Sequence, residues 1–157
     1  METTEVISQY EQERGKPMPS INHSFVQTRL IIEIAHRYNK LYSSFSELSL
    51  SLQGKGVTPD ICIYPRMKPD WQHDEIKLTV PPLVAIEIAS PSQGSEVFEE
   101  KMKIYFDAGV KSFWLVRPME EIITIFTPNQ KPRVFSSGML TDAATGLEIS
   151  IDEIFQR

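Results

Sequence analysis

Three charged residues stand where a folding chain has reason not to put them. Glu87 interrupts the apolar run Leu83-Val84-Ala85-Ile86-Glu87-Ile88-Ala89. A run of that kind reads as a central strand covered on both faces. Burying an unpaired carboxylate there costs roughly several kcal/mol unless a cation or hydrogen-bond donors meet it. Asp60 follows Pro59 in a second β-rich segment, Val57 to Tyr64. If the two segments are neighbours, two carboxylates converge at one edge of the sheet, and a hard anionic oxygen pair of that kind suits Mg²⁺ or Mn²⁺. Lys101 is the third. At about 100° per residue, Val97, Phe98, Met102, Ile104, Tyr105, Phe106 and Ala108 form one apolar arc. Glu96, Glu99, Glu100, Lys103 and Asp107 lie outside it, and Lys101 lies inside. Its ammonium either snorkels out along its stem or reaches the sheet edge near Glu87. There it would neutralise charge and orient a water or a phosphate oxygen.

The elements that must position these groups are legible in outline. A four-residue step through Val26, Leu30, Ile34 and Tyr38 predicts a helix over Ile21 to Tyr42, capped by Ser20 or Asn22. Alternation over Phe45 to Leu52 predicts a half-exposed strand, Gly54 and Gly56 a turn, and Val57 to Tyr64 a second strand. Pro65 to Pro82 reads as a long polar loop with at most one strand edge. Leu83 to Ala89 is the central strand. A helix follows over Ser95 to Ala108, capped by Ser95, with Gly109 ending it. Ser112 to Val116 is a further buried strand, Ile122 to Thr127 and Arg133 to Ser136 form an antiparallel pair, and Ile151 to Phe155 is a last helical turn. The order αβββαβ plus trailing strands predicts a mixed β-sheet of the α/β (α+β) class. The first three strands form a meander, the second helix is a crossover that makes the next strand parallel, and helices flank both faces.

The chain has 157 residues, 41% hydrophobic and 24% charged, the composition of one globular domain spanning 1–157. Sixteen Lys+Arg against 21 Asp+Glu give a formal charge of −5. A broad basic grip on nucleic acid is therefore disfavoured, and any contact must use a local patch or a bound cation. The single cysteine, Cys62, excludes an internal disulfide and a Cys-rich zinc site. The polar start, Met1 to Gly15, does not read as a signal peptide, and no apolar stretch approaches bilayer length. A cytoplasmic setting with no membrane association is expected.

Pro59-Asp60 and, after a variable stretch, Glu87-Ile88-Ala89-Ser90-Pro91-Ser92 together resemble the PD-(D/E)XK nuclease superfamily. Within it, four stretches resemble the Uma-type family, which is grouped with restriction endonucleases and often described only as a domain of unknown function. They are Thr58 to Ile63, Val84 to Ser92, Glu100 to Tyr105 through Ala108-Gly109-Val110 to Phe113-Trp114-Leu115-Val116, and Gly146-Leu147-Glu148-Ile149 to Ile154-Phe155. The resemblance runs over about residues 10 to 155. It implies a restriction-endonuclease-like core and a metal-dependent endonuclease, a hydrolase acting on DNA. Asp60, Glu87 and the backbone carbonyl of Ile88 would hold Mg²⁺ or Mn²⁺, and Lys101 would stabilise developing charge. In the parent motif the lysine lies two residues after the second acid, where this chain has Ala89. In the Uma-type family it comes from the following helix, at a position matching Lys101, in agreement with the helical geometry. Superfamily members often add an acidic residue from an N-terminal segment, for which Glu11 and Glu13 are candidates. After the fourth strand family members often read Asp-Pro, and here the pair is Arg117-Pro118.

The remaining candidates have plain structural readings beside functional ones. His23 either caps the first helix or lines the site. Tyr105, one turn after Lys101, either holds it or is core. Asp70, His73, Asp74 and Glu75 read as a solvated loop, which could still cover the site as a flap. Ser90 and Ser92 shape a turn and cap a helix, and Phe113, Trp114 and Cys62 are core. The competing function is a nuclease fold used as a non-catalytic binding or assembly module. A small acidic domain with few basic patches is expected to grip a duplex as a homodimer, weakly and with the help of metal.

Overall fold

The computed structural model describes residues 9–157, apart from the side chains of Tyr10, Glu13 and Arg14. In chain order the elements are α1 (Gln9–Arg14), α2 (Ile21–Tyr38), β1 (Tyr42–Ser46), β2 (Ser49–Leu52), β3 (Lys55–Val57), β4 (Ile61–Pro65), β5 (Lys77–Leu78), β6 (Val84–Ile88), α3 (Ser95–Asp107), β7 (Ser112–Arg117), β8 (Ile122–Phe126), β9 (Arg133–Phe135), β10 (Met139–Thr141), β11 (Glu148–Ser150) and α4 (Ile151–Ile154). The main sheet has six strands in the order β1-β4-β6-β7-β8-β9. β1, β4 and β6 form the expected antiparallel meander. After the α3 crossover, β7 lies parallel to β6, and β8 and β9 follow antiparallel. Two small sheets, β3-β2-β5 and β10-β11, complete the fold.

All five residues of β6 are buried, because both faces of the sheet are covered. On one side Val26, Leu30 and Ile34 of α2 pack with Ile61, Ile63, Val84, Ile86, Trp114 and Val116. On the other, Phe98 and Tyr105 of α3 pack with Cys62, Tyr64, Ala85 and Phe113. Alternate residues of each strand feed alternate cores.

The sequence expectations need correction at four places. The helix predicted to Tyr42 ends at Tyr38, and Tyr42 opens β1 opposite Pro65; the serine-rich segment that follows gains more from pairing as a strand than from another helical turn. The strand predicted over Phe45 to Leu52 is two strands in different sheets, broken at Glu47, whose φ is +53°. The strand predicted over Val57 to Tyr64 divides at Pro59-Asp60, where proline cannot donate to a ladder. Finally, α3 is not capped by Ser95: Gly94 occupies that position with no side-chain hydrogen bond, and the Ser90 and Ser92 hydroxyls bond each other instead at 3.0 Å. Ser20 does cap α2, accepting from the His23 amide at 3.1 Å. Gly109, with φ +101°, takes the left-handed conformation that ends α3. Within the predicted apolar arc of α3, Val97 is exposed.

Candidate active site

Two strand ends and the helices α2 and α3 build the site. Because β4 and β6 are paired with Ile61 opposite Ile86, Asp60 and Glu87 fall on neighbouring strands at one end of the sheet. Both are 1% exposed. The kink at Glu47 is part of the scaffold: the Glu47 amide donates to the Asp60 carbonyl at 3.0 Å. The Gln27 side-chain amide, from α2, donates to the same oxygen at 3.0 Å.

The Asp60 carboxylate has three partners from three directions. Oδ2 accepts the Ile88 amide at 2.7 Å. Oδ1 accepts from Lys16 Nζ at 2.7 Å and faces His23 Nε2 at 3.3 Å. Burial pushes the Asp60 carboxyl up, but the His23 hydrogen bond and the Lys16 charge outweigh it and hold the group down at about 2. Glu87 has the opposite balance. Burial raises it to about 7, opposed by the Lys101 charge and reinforced by the Asp60 charge. Its Oε1 accepts from the Tyr105 hydroxyl at 3.0 Å and lies 3.5 Å from Lys101 Nζ. Two carboxylates in one site are thus driven apart in acidity, one fixed as an anion and one poised near neutrality.

Asp60, Glu87, Ile88, Lys16 and His23 line a chamber of about 20 Å³, enough for one water-sized species. Among the described residues, His23 Nδ1 is a buried side-chain nitrogen with no hydrogen-bond partner.

Most of the sequence-predicted site is brought together here: Asp60, Glu87 and Lys101, with Ile88 and His23 beside them. Tyr105 is core, fully buried, and its hydroxyl holds Glu87 rather than Lys101. Glu11 lies on α1, where its carbonyl accepts the Gly15 amide at 2.7 Å. The Glu13 side chain lies outside the described residues. The loop between β4 and β6 lines neither the chamber nor the cleft beside it, and its His73–Asp70 contact is exposed; no group of three or more potential metal-binding side chains occurs among the described residues. The Cys62 thiol, pushed up to about 12 by burial, is inert core.

Lys16 is the residue sequence reasoning missed. It is 7% exposed and also donates to the Thr58 carbonyl at 3.0 Å. Its one sequence signal is its place between a glycine and a proline. Gly15, with φ +69°, turns the chain sharply out of α1, and Pro17 fixes the residue after.

The sequence pattern of the Uma2 family, described as "Putative restriction endonuclease", matches residues 10–152. The chain belongs to this family. Its fold also matches a solved structure described as a "putative nuclease belonging to DUF820" from Anabaena variabilis ATCC 29413. The two chains are 24% identical, and the TM-score is 0.77 over 90% of this chain and 84% of that one. That likeness carries the architecture: a mixed α/β fold with helices on a mixed sheet. No curated protein matches the chain. Membership makes the chain a nuclease-type protein, and no helix among the described residues is long and apolar enough to cross a membrane.

The acidity split has a measurable consequence for stability. Between 4.5 and about 7 the unfolded chain releases the Glu87 proton while the folded chain keeps it. Stability is therefore expected to fall as pH rises through that window, by an order of a few kcal/mol. Asp60 acts in the other direction: its contribution is present above 3.8 and is lost as pH falls through about 2. Urea unfolding in EDTA at pH 5 and pH 7.5 measures the first effect. Glu87→Gln should remove most of the difference, and an unchanged difference would show that Glu87 is not its source.

Proposed function

We propose that the chain is a divalent-metal-dependent endonuclease that hydrolyses DNA phosphodiester bonds. The observation that carries this reading is the convergence of Asp60 and Glu87, from neighbouring strand ends, on one chamber of single-ion size, with the Lys101 ammonium of α3 3.5 Å from Glu87 Oε1. The donor set suits Mg²⁺ or Mn²⁺, with Asp60, Glu87 and the backbone carbonyl of Ile88 as hard oxygen ligands. A cation bound there would supply Lewis-acid polarisation of the scissile phosphate and a more acidic water.

The chain's own groups do the remaining work. Tyr105 and Lys101 both meet Oε1 of Glu87, which fixes the carboxylate's orientation and leaves Oε2 for a ligand. Lys101 keeps its side chain 16% exposed, so its ammonium can also reach a phosphate oxygen and stabilise the charge that develops on it. Burial of both carboxylates keeps competing water out and strengthens each of these interactions. Across the formal charge of −5, DNA is held weakly and through the metal, and a second copy of the chain completes the grip on a duplex.

One observation favours the second reading, a nuclease-fold binding or assembly module without turnover. Lys16 already sits on Asp60 Oδ1 at 2.7 Å, so a cation using that oxygen must share it or displace the ammonium. Thermal unfolding with and without Mn²⁺ separates the two. A bound cation at a hundredfold excess over Kd stabilises by about 2.7 kcal/mol, and the midpoint should rise in the wild type and not in Glu87→Gln. An unmoved wild-type midpoint at millimolar Mn²⁺ would favour the module.

A further inference from the structure

A larger cleft, of about 380 Å³, adjoins the carboxylate chamber. Ser20, His23, Ser90 and Gln93 line both, so whatever enters the cleft lies one side chain away from Asp60. Its far wall is Arg117, the last residue of β7. The register fixes that position. Val116 pairs with Ile88, and its carbonyl accepts the Ala89 amide at 2.8 Å, which sets Arg117 beside the segment leaving β6. This is the carboxyl end of two adjacent parallel strands, where open α/β sheets place their ligands.

Three features give the cleft an affinity for anions. Arg117 is half-buried, yet it makes no ion pair among the described residues, whereas Arg29, Arg37 and Arg157 each hold a carboxylate. The N-terminus of α2, an 18-residue helix with no acidic residue in its first turn, supplies its positive end through Ser20, Asn22 and His23. Glu120, the one acidic side chain in the lining, is exposed. The volume is that of a small-ligand pocket, sufficient for one nucleotide unit.

We propose that this cleft binds the phosphodiester group next to the scissile one on the same DNA strand, with Arg117 as its anchor. The proposal rests on the nuclease reading and adds a binding residue that lies outside the Asp60, Glu87 and Lys101 constellation. A phosphate held by Arg117 and α2 would align the neighbouring phosphate over the chamber, which converts weak overall affinity into correct register.

The test is fluorescence anisotropy of a labelled DNA oligonucleotide in Mn²⁺, with Lys101→Ala as the background, which keeps both carboxylates for the metal and slows cleavage so that the strand stays intact during the measurement. Adding Arg117→Ala should weaken binding about tenfold and lower the slope of log affinity against log salt by about 0.7 to 0.9, the loss of one phosphate contact. Arg117→Lys should keep the slope, and both variants should melt with the background protein. Unchanged affinity and slope in Arg117→Ala, or no oligonucleotide binding at all, would overturn the proposal. So would inorganic phosphate that competes as tightly as the strand, because the cleft would then be a free-phosphate site. Cleavage of DNA by the unsubstituted protein decides the nuclease reading separately: if cleavage is absent while Arg117 still sets the slope, the cleft stands and the nuclease reading falls.

Discussion

Lys101→Ala is expected to lower metal-dependent DNA cleavage by about a hundredfold to a thousandfold, the usual cost of removing one donor aimed at developing charge. The expectation comes from placement. Lys101 is the charged residue inside the apolar arc of α3, and its ammonium lies 3.5 Å from Glu87 Oε1 and 5.9 Å from the Phe98 ring centroid. Its removal leaves Glu87 still bonded to Tyr105, so the fold and the carboxylate's position should survive, and the loss should fall on turnover rather than on oligonucleotide affinity. Lys101→Arg keeps the charge but not the compact ammonium, and partial activity is expected from it. Steady-state cleavage alongside thermal unfolding checks this. Cleavage at the wild-type rate by a folded Lys101→Ala protein would remove Lys101 from the mechanism.

Lys16→Met should produce the largest change in stability, about 3 kcal/mol by analogy with other broken buried pairs. The ammonium is nearly enclosed and bonds both Asp60 and the Thr58 carbonyl. Without it, Asp60 keeps the Ile88 amide and His23 but loses the charge that most directly offsets its burial. The variant also separates the two functional readings. If the site takes a cation, the vacated oxygen should be easier to reach, and Mn²⁺ should restore more stability to Lys16→Met than it adds to the wild type. If Lys16 is a permanent counter-charge, Mn²⁺ should restore nothing. Urea unfolding of both proteins with and without Mn²⁺ measures this, and equal stability of variant and wild type would show that the Lys16 pair contributes little.

What the sequence disclosed and what it hid divide along a physical line. Glu87 and Lys101 were legible because each violates a strong periodic pattern, a continuous apolar run in one case and a helical apolar arc in the other. Asp60 gained weight from the same reasoning once its strand was placed beside that of Glu87, and the β4–β6 pairing puts it there. The central strand, the crossover helix and the parallel β6–β7 pair were legible for the same reason: long apolar periodicity survives whatever the loops do. The misplaced boundaries at Glu47 and Pro59 sit at single-residue kinks, where a left-handed residue or a proline redirects a chain whose hydrophobic pattern runs on unbroken, while the one at Tyr42 arises because strand pairing with β4 claims a residue that also fits the helical period. Lys16 was hidden because it violates nothing. It follows a polar helix, in a stretch where a lysine is ordinary, and only the tertiary fold carries its ammonium some forty residues along the chain to Asp60. Short pieces such as α1, β10 and β11 lack enough residues to show a period at all.

The central claim is that Asp60, Glu87 and Lys101 form a metal-dependent hydrolytic site, and the most direct test is the nicking of covalently closed circular DNA. The purified protein should convert it to open-circular and linear forms in Mg²⁺ or Mn²⁺, the reaction should stop in EDTA, and Glu87→Gln should be inactive in both metals. Cleavage that persists in EDTA, or in Glu87→Gln at the wild-type rate, would contradict the account.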